Sequence, residues 1–142
     1  MNLQPCTSNR PCRCTILLVE DEPFVREATR SILESAGFEV LPAEDAASAL
    51  KAYEERPSID LVMTDMVLPG RTGQQLGQDL RQRRPEVSVL VTSGYSNLEY
   101  ETEDPTARTY FLAKPYSRRS LIEKIETILG TIPPRQATRQ VS

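Results

Sequence analysis

The chain has 142 residues, 39% hydrophobic and 26% charged, enough for one globular domain with a core and too few for a second. Its formal net charge of −3 argues against nucleic acid or an anionic membrane surface as partner, and no apolar run approaches the roughly 18 residues of a membrane span. The absence of histidine excludes Ser-His-Asp and Cys-His catalysis and any internal phosphohistidine donor, which leaves carboxylates, hydroxyls and amines for chemistry.

Residues 1–13 are expected to be a disordered leader. The stretch MNLQPCTSNRPCRC lacks the apolar middle of a secretory signal, so a cytoplasmic location is expected. It also carries all three cysteines, Cys6, Cys12 and Cys14. Three sulfurs without a histidine fall short of the four ligands of a structural zinc site, and reduced thiols are expected there.

From residue 14 to 130 apolar runs alternate with segments of helical period. TILLV (15–19) is a short unbroken apolar run, the pattern of a strand covered on both faces. Pro23 suits the first turn of a helix, in which Val25, Ala28, Ile32 and Ala36 form the apolar stripe before Gly37 ends it. FEVL (38–41) predicts a second strand. A helix from Asp45 to Arg56 follows, with Ala46, Ala49, Leu50 and Tyr53 inward and Pro57 as its stop.

IDLVM (59–63) predicts a third strand whose chain runs on to Asp65, with Pro69 and Gly70 marking a sharp turn. The next helix, about 73–83, has Leu76 and Leu80 as a thin apolar stripe and Arg81, Arg83 and Arg84 near its end, where cations suit the dipole. VSVLVT (87–92) and TYFLA (109–113) predict strands four and five. Between them GYSNLEYETEDPTAR offers mainly Leu98 and Tyr100 for burial and is broken by Pro105, so at most a short or irregular fourth helix is expected. SRRSLIEKIETILG (117–130) is strongly amphipathic, with Leu121, Ile122, Ile125, Ile128 and Leu129 on one side, and residues 131–142 are expected to be a disordered tail.

Strands alternating with helices imply right-handed crossovers and a three-layer α/β sandwich with a parallel sheet. In such sheets ligands bind outside the carboxyl ends of the strands. Those ends carry Glu20 and Asp21, then Asp65, then Thr92 and Ser93, then Lys114 and Pro115. Each has an ordinary reading taken singly: an acid at a strand end caps a helix, a hydroxyl forms a turn, a lysine before proline is solvated. Their appearance together at one edge points to chemistry.

Two carboxylates about 4 Å apart repel by roughly 4 kcal/mol at an effective dielectric of 20, so three clustered acids require positive charge. Lys114 supplies one such charge, and a hard divalent cation such as Mg²⁺ suits the remainder. A carboxylate facing both can attack phosphorus to form an aspartyl phosphate.

VEDEP (19–23), TDMVLPG (64–70), VTSGY (91–95) and FLAKPY (111–116) together resemble the response-regulator receiver domain of two-component signalling. The resemblance covers residues 15–130, with 44, 28 and 21 residues separating Asp21, Asp65, Ser93 and Lys114. It implies a flavodoxin-like (βα)5 fold of strand order 2-1-3-4-5, for which receivers are a standard example. It implies Asp65 as phosphoacceptor and Asp21 as a direct Mg²⁺ ligand. Glu20 would act on the ion through water, and the backbone carbonyl of Val67 would complete the set. Ser93 matches the switch hydroxyl, Lys114 the characteristic lysine, Pro115 its cis proline, and Phe111 the aromatic whose rotamer follows the switch.

The resemblance further implies a sensor histidine kinase or a histidine phosphotransfer protein as donor, a separate target protein as reader, and a monomer or weak dimer. The expected chemistry is limited to the chain's own phosphorylation and dephosphorylation. Val67, apolar, and Tyr95, bulky, offer no group to orient a hydrolytic water, so a phosphoryl lifetime of about minutes or more is expected. The segment before strand five lacks the family's Gly-Ala and contains a proline, which sets apart any dimer formed through that face. Two arrangements fit, a free single-domain regulator and a receiver acting beside a hybrid kinase. Two other readings stand beside the family's: an enzyme turning over small phosphoesters by the same chemistry, and a pseudo-receiver that signals without phosphate.

Overall fold

The computed structural model describes residues 14–56, 58–94 and 108–130. The expected leader, the tail, the fourth-helix segment and Tyr95 lie outside the described residues.

Five parallel strands form the main sheet: β1 (Thr15–Val19), β2 (Glu39–Ala43), β3 (Ile59–Asp65), β6 (Ser88–Ser93) and β7 (Thr109–Ala113). Their spatial order is β2-β1-β3-β6-β7, which is the expected 2-1-3-4-5 when only these strands are counted. Two further strands, β4 (Val67–Leu68) and β5 (Arg71–Thr72), pair antiparallel around Pro69 and Gly70, whose φ of 80° needs a residue without Cβ. The turn was expected from the Pro-Gly pair; the hairpin ladder it closes was not.

Helices α1 (Pro23–Ser35), α2 (Ala46–Glu55), α3 (Gly73–Arg83) and α4 (Arg118–Leu129) cover both faces. Alternation along β1 explains the layering. Ile16 and Leu18 point to one cluster, shared with Leu33 of α1 and Leu121, Ile125 and Ile128 of α4. Leu17 and Val19 point to the other, shared with Ala46, Ala49 and Tyr53 of α2 and Leu76 and Leu80 of α3. Each wholly buried Leu or Ile contributes about 1.5–3 kcal/mol relative to exposure, so the two clusters carry the fold.

Two local expectations are corrected. The second strand begins one residue later and runs two further than FEVL, because the Phe38 amide still closes α1 by donating to Leu33 O, and Pro42 is tolerated on an edge strand. In α1 the predicted stripe holds only at its C-terminal end: Ile32 packs partly buried against the cluster shared with α4 and Ala36 is half-buried, while Val25 and Ala28 are exposed and Thr29 and Leu33 are buried. Both stripes have helical spacing, and they meet at Ile32 and Leu33, which the sheet receives together.

Helix ends are specified locally. Thr72 and Gln75 form a reciprocal capping box at the start of α3, Asp45 accepts from the Ser48 amide at α2, and Ser117 accepts from the Ser120 amide at α4. Arg84, expected to serve the end of its own helix, reaches across to α2. Its guanidinium lies 3.9 Å from the Tyr53 ring centroid and donates to Tyr53 O (2.7 Å) and Arg56 O (3.1 Å).

Candidate functional site

The register of the sheet brings the singled-out residues together. Asp65, last in β3, is paired with Thr92, and Ser93 is paired with Ala113, one residue before Lys114. The Met66 amide donates to Thr92 O and the Lys114 amide to Ser93 O, both at 2.7 Å, so the backbones on which Asp65, Ser93 and Lys114 sit are tied directly. The peptide between Lys114 and Pro115 is cis.

Lys114 Nζ lies 3.0 Å from Asp65 Oδ1 and 3.7 Å from Glu20 Oε1. Glu20 is 6% exposed, Asp65 intermediate and Asp21 exposed, so the acids step from interior to solvent. One carboxylate oxygen from each of the three lies within 4.8 Å of the others. Burial raises the Glu20 carboxyl above its ordinary range, against the hydrogen bond from the Glu22 amide and the charge of Lys114. Burial alone would lower Lys114, but the hydrogen bond and charge of Asp65 and the charge of Glu20 outweigh it, and the ammonium is held above its usual value.

Three clustered carboxylates against one ammonium leave negative charge uncompensated, and their oxygens are hard donors close enough to share one ion. This set fits a divalent cation of the Mg²⁺ type. Val67 lies two residues beyond Asp65 in β4, with 64% of its surface exposed.

Ser93 is buried, and Phe111 is buried in the cluster that packs against α2 and α3. A cavity of about 440 Å³ opens beside Lys114, lined also by Val25, Gly94, Pro115 and Tyr116.

Three supporting residues escaped the sequence reading. The Thr64 hydroxyl donates to Asp65 O at 3.0 Å. Gly73 packs so closely that a Cβ there would collide with Asp65 O, and its amide donates to Met66 O at 2.7 Å. Arg26 Nη1 donates to Glu20 O at 2.7 Å. Only the glycine left a signal, as the unusual start of a helix; the other two side chains act on backbone carbonyls, which sequence spacing does not reveal.

The family model for the response regulator receiver domain matches residues 16–126. The sensor kinase CckA of Brucella abortus (strain 2308) is 34% identical over 117 residues, covering 81% of this chain and 12% of that protein. The sensory transduction protein RegX3 of Mycolicibacterium smegmatis is 32% identical over 115 residues, 81% of this chain and 50% of that one. The crystal structure of a response regulator receiver domain protein from Clostridium thermocellum aligns with a TM-score of 0.76 at 26% identity, over 82% of this chain and 94% of the other. The chain thus spans half or less of the length of these two curated relatives.

Proposed function

The chain belongs to the response-regulator receiver family of two-component signalling, and on that premise we propose that it accepts a phosphoryl group on Asp65 and changes its binding to a target protein in response. The observation that carries this reading is the Lys114 ammonium 3.0 Å from the Asp65 carboxylate, beside two further acids able to share a cation with it.

An Asp65 carboxylate oxygen attacks phosphorus in line, the bond from phosphorus to the imidazole nitrogen of a donor phosphohistidine breaks, and that nitrogen keeps the electron pair. Lys114 balances charge on the transferring oxygens. Asp21, Asp65 and the Val67 backbone carbonyl would hold Mg²⁺, with Glu20 acting through water. The ion would supply neutralising charge at the phosphoryl group. After transfer the Ser93 hydroxyl donates to a phosphoryl oxygen, and Phe111 moves into the space released, shifting the population toward a form that partners read differently.

The donor is a sensor histidine kinase or a histidine phosphotransfer protein. The cavity bordered by Val25, Pro115 and Tyr116 leaves room for its approach. The protein acts in the cytoplasm as a monomer or weak dimer, and its only catalysis is on itself. Among the described residues no helix is long and apolar enough to cross a membrane. The exposed, apolar Val67 side chain cannot orient a hydrolytic water, which favours a phosphoryl state lasting about minutes or more.

The test is labelling by acetyl phosphate and by a phosphorylated kinase with Mg²⁺ present. Asp65→Asn is expected to abolish both, and equal labelling of wild type and variant would refute the assignment.

A further inference from the structure

Three hydrogen bonds hold Glu20. Its amide donates to Ala43 O at 3.0 Å, its carbonyl accepts from Arg26 Nη1 at 2.7 Å, and its Oε2 accepts the Glu22 amide at 3.2 Å. The first and third contacts are made by backbone groups. The second is made by a side chain from the first turn of α1, and it spans the whole bend in which Glu20 and Asp21 sit. Arg26 also borders a cavity of about 370 Å³ with Pro42, Ala43, Glu44 and Ser48. Glu27 lines that cavity as well, and the hydrogen bond to Glu20 O ties the guanidinium to the bend.

A cation placed beside a site for a cation is electrostatically adverse, so attraction of the ligand does not explain Arg26 there. Orientation does. We propose that Arg26 is a positioning residue for the metal-holding acids. It clamps the Glu20 carbonyl so that the carboxylates of Glu20 and Asp21 already face Asp65 when Mg²⁺ arrives. This inference rests on the reading of the acid cluster as a Mg²⁺ site. Groups that orient metal ligands from outside the coordination shell typically change affinity by about 10–100-fold when removed.

The sign of the effect separates positioning from charge. Arg26→Met keeps the apolar stem and removes both donor and charge. Loss of the positive charge alone would tighten Mg²⁺ binding, whereas loss of the clamp weakens it. The experiment is isothermal titration of wild type, Arg26→Met and Arg26→Lys with Mg²⁺ alone, accompanied by amide exchange of the metal-free proteins.

Arg26→Met is expected to bind Mg²⁺ about tenfold more weakly and to exchange the Glu22 amide faster, with amides of β3 unchanged. Arg26→Lys, which retains a donor, is expected within about threefold of wild type, and Arg26→Leu, also without a donor, is titrated in place of the methionine variant if that one does not fold. A folded Arg26→Met or Arg26→Leu that binds Mg²⁺ as tightly as wild type, or more tightly, would overturn the inference and leave the metal site intact. A wild-type protein that binds no Mg²⁺ would overturn both.

Discussion

Replacing Lys114 with methionine removes one charge and little volume from the acid cluster. The ammonium sits 3.0 Å from Asp65 and 3.7 Å from Glu20. At an effective dielectric of 20, charges at those separations of 3.0 and 3.7 Å attract by about 5.5 and 4.5 kcal/mol. Much of this gross attraction is offset by the cost of burying the ammonium, and breaking a buried pair typically costs about 3–5 kcal/mol. With 26% of the Lys114 side chain in solvent, and with the acids able to take up a proton instead, roughly 2 kcal/mol remains as the expected loss at neutral pH.

For a domain near 100 residues that loss lowers the unfolding midpoint by roughly 8–16 °C. The assay is thermal unfolding followed by circular dichroism, in EDTA and again in millimolar Mg²⁺, which is expected to restore much of the difference. The pH dependence has a definite sign. Glu20 has a folded pKa raised by burial, and loss of Lys114 raises it further. A carboxyl raised on folding binds more protons in the native state, so stability falls as pH rises from its ordinary value through the folded one. The deficit of Lys114→Met should therefore be small near pH 4 and grow toward neutrality. A variant as stable as wild type in EDTA at pH 7 would refute this account of the cluster's electrostatics.

Two other substitutions test the scaffold. Gly73→Ala puts a methyl against Asp65 O and near Thr64 Cγ2 (3.1 Å), so it should cost about 1–3 kcal/mol in urea unfolding and slow labelling of Asp65; unchanged values for both would show that the helix start yields freely. Tyr53→Phe removes a buried hydroxyl that has no hydrogen-bond partner among the described residues, and it should be neutral or stabilising by up to about 1 kcal/mol. Burial pushes the Tyr53 phenol up to about 12, so wild type should lose stability as pH rises from 10 toward that value, and the phenylalanine variant should lack this contribution. Denaturant melts across that alkaline range check both statements.

The strands and the site edge were legible because burial on both faces demands continuous apolar letters. TILLV and TYFLA are strands over the residues that the pattern marks, and the acids, hydroxyl and lysine follow directly at strand ends. The N-terminal half of the α1 face was misread because two stripes share the helical period, and letters alone do not tell a buried threonine or leucine from an exposed valine. The β4–β5 hairpin is two residues a side, too short for any periodic signal. Arg26 and Thr64 were missed for another reason: both bond to backbone oxygens, and a carbonyl has no letter in a sequence.

Among the described residues, the two clusters that sandwich the sheet share no buried residue. Phe111 belongs with α2 and α3, while its neighbour Tyr110 belongs with α1 and α4. The sheet therefore works as an insulator. On the proposed function, the expected rearrangement around Phe111 would strain one layer and leave the other cluster, and with it the surface beside Val25 and Tyr116, undisturbed. Substitutions in opposite layers should therefore combine additively, and under the proposed function the two surfaces could diverge in sequence independently, one toward a phosphoryl donor and the other toward a reader.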